Sequence, residues 1–136
     1  MANGLSDFSE YGFNKQTNTT MKTIQQIENQ ISKLVASSLN EKDEKILKRD
    51  RKEVKYLRYI LSYLKTEPTE QIVNHQLENV ERSISILNGR FETWKASNPE
   101  IVKKIKTEAK ILQHYNTTFE IPKLKQQRKD LLFILT

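Results

Sequence analysis

Residues 73–94 read VNHQLENVERSISILNGRFETW, in which Val73, Leu77, Val80, Ile84, Leu87, Phe91 and Trp94 are spaced 4, 3, 4, 3, 4, 3. A repeat near 3.5 residues places all seven on one stripe of an α-helix, whereas a half-buried strand would repeat every second residue. The spacing predicts one unbroken helix over 68–96, roughly 29 residues and about 43 Å long at 1.5 Å per residue. Gly89 falls on the face opposite the stripe, where it is expected to cost about 1 kcal/mol of helix propensity without disturbing packing.

Upstream, the same kind of pattern recurs twice. Ile24, Ile27, Ile31 and Leu34 predict a helix over 19–38, and Leu47, Val54, Leu57, Leu61 and Leu64 predict another over 41–65. Asn40 is the expected cap of the second, with Asp43 three residues on as the acidic member of a capping box. Asp50 occupies the one heptad position that lacks an apolar residue. A polar group there can set register or pair with an Arg at a cost in stability; the simpler expectation is that it lies in water near a frayed end.

Downstream, prolines set the punctuation. Glu67-Pro68 ends one helix and begins the next, because the residue before Pro is pushed out of helical angles while Pro itself suits a first turn. Asn98-Pro99-Glu100 combines a cap residue, Pro at the first helical position and an acid against the positive helix end. It predicts a helix over 99–115 with Ile101, Ile105, Ala109 and Leu112 inward. Residues 117–121 read as extended. Pro122 then opens a helix over 122–135 with Leu124, Arg128, Leu131, Leu132 and Leu135 on one side.

The fold class expected is therefore all-α: an antiparallel helical bundle of three long heptad-patterned helices and two shorter C-terminal ones. An extended N-terminal arm over 1–18 precedes a bundle domain over 19–136. Three Gly and three Pro among 136 residues are too few for a turn-rich β sandwich or barrel. The absence of Cys excludes a disulfide scaffold, a thiolate metal site and a cysteine nucleophile.

The net charge of +6 is carried by 17 Lys and only 6 Arg. Lys, Asn, Ile, Phe and Tyr are all abundant, and their codons are rich in A and T, so part of the Lys excess reads as genomic bias of the kind found in many bacteria and their phages. Charge is also unevenly placed: residues 41–65 carry +4 and residues 66–97 carry −2. Short connections make consecutive helices neighbours, so some of the positive charge is expected to face the acidic helix rather than a nucleic acid.

Chemistry-bearing patterns are sparse. His75 and Glu78 supply at most half a metal-ligand set, and His114 stands alone. With Gly only at 4, 12 and 89, no phosphate-cradling loop can be written. The expectation is a protein that is not an enzyme and binds no cofactor and no metal.

Three segments remain as candidate partner-binding surfaces. Leu5, Phe8, Tyr11 and Phe13 are apolar anchors in the arm, suited either to their own bundle or to a neighbouring subunit. On the 41–65 helix, Lys45, Lys48, Arg49, Lys52, Lys55, Tyr56, Tyr59 and Tyr63 share a back face within about 160–280° of Leu57 at 100° per residue. Such a face suits a protein interface, where Tyr and Arg are anchors, or a nucleic acid, where cations meet phosphates and rings stack on bases. It also suits simple packing of Tyr56 and Tyr63 beneath solvated lysines. The third segment is the C-terminal run Leu131 to Leu135, whose Leu132, Phe133 and Leu135 are apolar around much of a helix and must be covered by the bundle or by a partner.

The leading expectation is a structural or assembly subunit, or adaptor, that docks other protein subunits, including copies of itself, as in a component of a phage particle. A basic helical nucleic-acid-binding or regulatory protein is the alternative. No segment is apolar for long enough to cross a membrane and the first residues lack a secretion signal, which places the expected protein in the cytoplasm or within a virus particle.

Overall fold

A computed structural model describes residues 21–136; the expected arm, with Leu5, Phe8, Tyr11 and Phe13, lies outside the described residues. Every regular element among the described residues is a helix: α1 (Ile24–Ser38), α2 (Glu44–Leu64), α3 (Glu70–Gly89), α4 (Phe91–Ser97), α5 (Pro99–Lys104), α6 (Glu108–Thr118) and α7 (Ile121–Leu135). The chain divides into two compact units. One comprises the residues up to Glu70 together with Ile134–Thr136, the other Gln71–Phe133.

The first unit is built on an α1–α2 hairpin. α1 starts at Ile24 because Thr23 closes a capping box: the Gln26 N–H donates to Thr23 Oγ1 (3.1 Å) and the Thr23 N–H to Gln26 Oε1 (2.8 Å). α2 starts later than expected, since Asp43 rather than Asn40 is its cap and accepts from the Lys45 N–H at 2.9 Å. Ser38, at the end of α1, bonds Asp50, near the start of α2, at 3.1 Å, which makes the two helices antiparallel. Ile27, Leu57, Ile60 and Leu64 are buried in this unit, each worth about 1.5–3 kcal/mol of transfer free energy. Ile60 lies outside the expected stripe and widens it.

Asp50 corrects the expectation of a wet, frayed position. It is buried and accepts hydrogen bonds from Ser38 Oγ and, at 3.4 Å, from Arg49 Nη2. A carboxylate at a core position needs such partners, because burying it unpaired would cost several kcal/mol. Ile134–Thr136 join the same unit through the Lys22 N–H, which donates to the Ile134 carbonyl at 2.7 Å.

Beyond the end of α2 the chain turns at Glu67, whose φ of 58° is left-handed and whose N–H returns to the Leu64 carbonyl at 2.9 Å. That geometry closes a helix C-terminus and usually falls to Gly. Pro68 stands two residues before α3 rather than in its first turn.

In the second unit the expected 68–96 helix is interrupted at Arg90. Val73, Val80 and Ile84 are buried as the stripe requires, and Leu77, Leu87, Phe91 and Trp94 are half-buried. The interruption has two visible causes. Gly89 weakens the turn, and the Leu87 carbonyl accepts from the Arg90 N–H (3.2 Å) and from the Tyr115 hydroxyl instead of serving only the regular ladder.

Asn98 stands at the N-cap of α5 as expected, and its carbonyl accepts from the Val102 N–H at 3.2 Å, but its side chain makes no capping bond there. Its Nδ2 donates to the Trp94 carbonyl at 2.8 Å, closing the end of α4, while Pro99 takes the first position of α5. The 99–115 helix is likewise broken: Ile105 is extended and Thr107 starts α6 as a new cap. That break resets the helical phase, so Ile111 and Tyr115 are buried, whereas Ala109 and Leu112, expected inward, are exposed. Residues 117–121 are not extended either. α6 runs through Thr118, whose hydroxyl donates back to the His114 carbonyl at 2.8 Å, and Glu120 reverses the chain at φ 55° ahead of Ile121 and Pro122. In α7, Ile121, Leu131 and Ile134 are buried; Leu132, expected inward, is exposed.

Candidate docking surfaces

Along α2 the expected back face is only partly open. Lys45, Lys48, Arg49, Lys52 and Lys55 are exposed, Tyr59 is 60% exposed, and Tyr56 and Tyr63 are half-buried. Burial pushes the Tyr63 phenol above its usual pKa of 10.0. One exposed ring therefore remains of the expected three-ring surface, on a helix that also bears five exposed cations.

The C-terminal run is mostly covered. Leu131 and Ile134 are buried, Phe133 and Leu135 half-buried, and only Leu132 stands open at 41%.

A surface that the residue pattern did not single out lies along the α1–α2 hairpin. Val35, Leu39 and Val54 form the apolar part of a groove of about 530 Å³, with Ser38 and buried Asp50 beside them and Arg51, Lys55 and Arg58 around them. Val35 is 44% exposed and Leu39 79% exposed. A sequence signal for it exists in retrospect. On a helical wheel Val35 and Leu39 continue the α1 stripe beyond Leu34, making it wider than packing against α2 alone needs.

In the second unit, aromatic side chains from α4 and α6 cluster. Tyr115 packs against Phe91 (5.1 Å between centroids), edge-on to Trp94 (5.2 Å) and against Phe119 (4.8 Å). Lys95 lies over the Phe91 ring at 4.7 Å and bonds Glu108 (2.7 Å) and Glu92 (3.1 Å). The hydrogen bond that Lys95 donates to Glu108, then that to Glu92, holds its ammonium above the usual lysine pKa. With Tyr115 1% exposed and its hydroxyl already bonded to Leu87, the cluster reads as packing. His114 sits against the Trp94 ring at 6.0 Å. Among the described residues no group of three or more His, Cys, Asp or Glu side chains converges as a metal site, and no helix is long and apolar enough to cross a membrane.

Comparison with protein-family models, with curated proteins and with solved structures finds no match to this chain.

Proposed function

We propose that the chain is a non-enzymatic assembly subunit or adaptor, a helical-bundle scaffold that docks other protein subunits through the exposed lysine and tyrosine face of α2 and through its terminal segments. The observation that carries this reading is Tyr59. A 60% exposed aromatic ring, on the same stripe of α2 as the exposed Lys48, Lys52 and Lys55 and on a helix whose opposite face is buried, is the kind of residue that anchors a protein interface. Binding to nucleic acid by the same face is the rival. It draws less support, because Tyr56 and Tyr63 are half-buried and a stacking platform needs several open rings.

A photoreactive residue in place of Tyr59 separates the two directly. Irradiation in extract of the source organism is expected to give one discrete protein adduct that survives nuclease. An adduct that nuclease removes, joined with gel-shift affinity that falls steeply with salt, would replace the assembly reading with the rival. No adduct of either kind would refute both.

A further inference from the structure

The hollow of about 530 Å³ at Val35, Leu39 and Val54 is half of a longer groove. It shares Arg58 with a second hollow of about 460 Å³, lined by Ile31 and Leu61. On a helical wheel one arc of α1 carries Ile31, Val35 and Leu39, and one arc of α2, within about 40–160° of Leu57, carries Leu61, Val54 and Arg58. The two hollows therefore run together along one side of the hairpin. From Gln25 to Leu39 that side is about 21 Å long at 1.5 Å per residue. None of its five apolar residues is fully buried: Ile31, Val54 and Leu61 are half-buried, Val35 is 44% exposed and Leu39 79% exposed.

The walls of the groove differ in charge. On the α2 wall stand Arg51, Lys55 and Arg58, all exposed and all without an ion pair among the described residues. Asp50 lines the same end, but its carboxylate is buried, accepts from Ser38 and is offset by Arg49 at 3.4 Å. On the α1 wall the one charge is Glu28, beside Gln25, Asn29 and Ser32. With both acids counted, the groove stays positive and its positive charge is concentrated on the α2 wall.

Length, apolar floor and charged wall together specify an occupant. Two helices that leave an apolar seam on one side are completed by a third helix laid along it. A nucleic acid would use the cations but would leave Val35, Leu39 and Val54 in water. A second copy docking by the same groove would set the two cationic walls against each other, which costs affinity. We infer that the α1–α2 groove seats one amphipathic helix of a partner protein, about 14–16 residues long, apolar along the seam and acidic on the flank that meets Arg51, Lys55 and Arg58. This site is distinct from the Tyr59 face and does not depend on that face being an interface.

Displayed random peptides of about 16 residues, selected on the full-length protein near physiological salt, test it. The enriched sequences are expected to carry apolar residues at helical spacing with Asp or Glu along one flank. A synthetic peptide of the enriched sequence should shift the methyl resonances of Val35, Leu39, Val54 and Leu61. It should bind at least about tenfold more weakly to Arg51→Glu, Lys55→Glu and to Leu39→Ser, all substitutions of exposed side chains. Lys103→Glu, Lys104→Glu makes the same change of net charge on α5 and should leave binding unchanged. No enrichment, enriched sequences without acids, methyl shifts elsewhere or an equal loss in the α5 variant would each overturn the inference. So would a wild-type dimer in sedimentation that Leu39→Ser dissociates, which would put a second copy in the groove. No enrichment together with a protein adduct at position 59 would refute the groove alone, and the converse would refute the Tyr59 face alone.

Discussion

The Tyr115 hydroxyl donates a hydrogen bond to the Leu87 carbonyl, 28 residues earlier in the chain, at the point where α3 gives way to α4. Tyr115 thereby does two things: its ring joins Phe91, Trp94 and Phe119, and its hydroxyl bonds a carbonyl at the interruption that also accepts from the Arg90 N–H. Tyr115→Phe keeps the ring and removes the bond, and should cost about 0.5–1.5 kcal/mol. Tyr115→Ala empties the cluster and should cost about 3–5 kcal/mol. Urea unfolding of both variants checks the order, and equal losses would show that the ring contributes little.

Asp50 tests a different balance. Ser38→Ala removes one of its two donors and should lower stability by about 1 kcal/mol. Asp50→Leu restores the apolar heptad position and removes the buried charge, so it should leave stability unchanged or raise it by about 1–4 kcal/mol. A thermal melt of Asp50→Leu that falls well below wild type would mean that the carboxylate does more for the hairpin than satisfy itself.

Among the described residues, Glu67 and Glu120 are left-handed without being glycine. A non-glycine residue in that region costs about 1–2 kcal/mol, partly offset by the freedom that Gly adds to the unfolded chain. Glu67→Gly should therefore raise stability by about 0.5–1 kcal/mol, read as an increase in denaturation midpoint. Gly89→Ala should do the same by a similar amount, since the added methyl meets no atom within 4 Å and the backbone there is not left-handed.

Lys95 and Tyr63 set the alkaline behaviour. Both groups have folded-state pKa values raised above their ordinary 10.5 and 10.0, Lys95 by its bonds to Glu108 and Glu92 and Tyr63 by burial. A raised value means a contribution that is complete below the unfolded pKa and is lost as pH rises through the folded one. Stability should thus fall from about pH 10 upward, and the fall should be shallower in Lys95→Gln. An unfolding series from neutral to alkaline pH in which the two proteins decline in parallel would exclude the Lys95 network as a cause.

Much of the helical content was legible because burial imposes a period. Val73, Val80 and Ile84 are buried where the 73–94 stripe puts them, and Ile27 and Leu57 mark the centres of the two upstream stripes. Helix breaks were not legible, because each depends on a contact distant in sequence or on a competing cap. Tyr115 reaches back to Leu87, the Asn98 side chain turns to Trp94 instead of α5, and Thr107 restarts a helix that the spacing of Ile101, Ile105 and Ala109 carries straight through. Surface exposure was legible only coarsely. Helical angle placed Tyr56, Tyr59 and Tyr63 together, but only packing decides that Tyr59 alone is left largely open. The groove escaped notice because Val35 and Leu39 look like ordinary stripe residues until α2 is seen to leave them uncovered.

The docking role of α2 is tested most directly by capturing partners from nuclease-treated extract with the full-length protein and with its Lys52→Glu, Tyr59→Ser variant. Both substitutions fall on exposed side chains, so the fold should survive, as circular dichroism can verify. Wild type is expected to retain a discrete, stoichiometric protein, and the variant to bind that same protein at least about tenfold more weakly, as removal of an interface anchor demands. Equal retention by the two proteins, or retention that nuclease abolishes, would contradict a protein-docking function for this face.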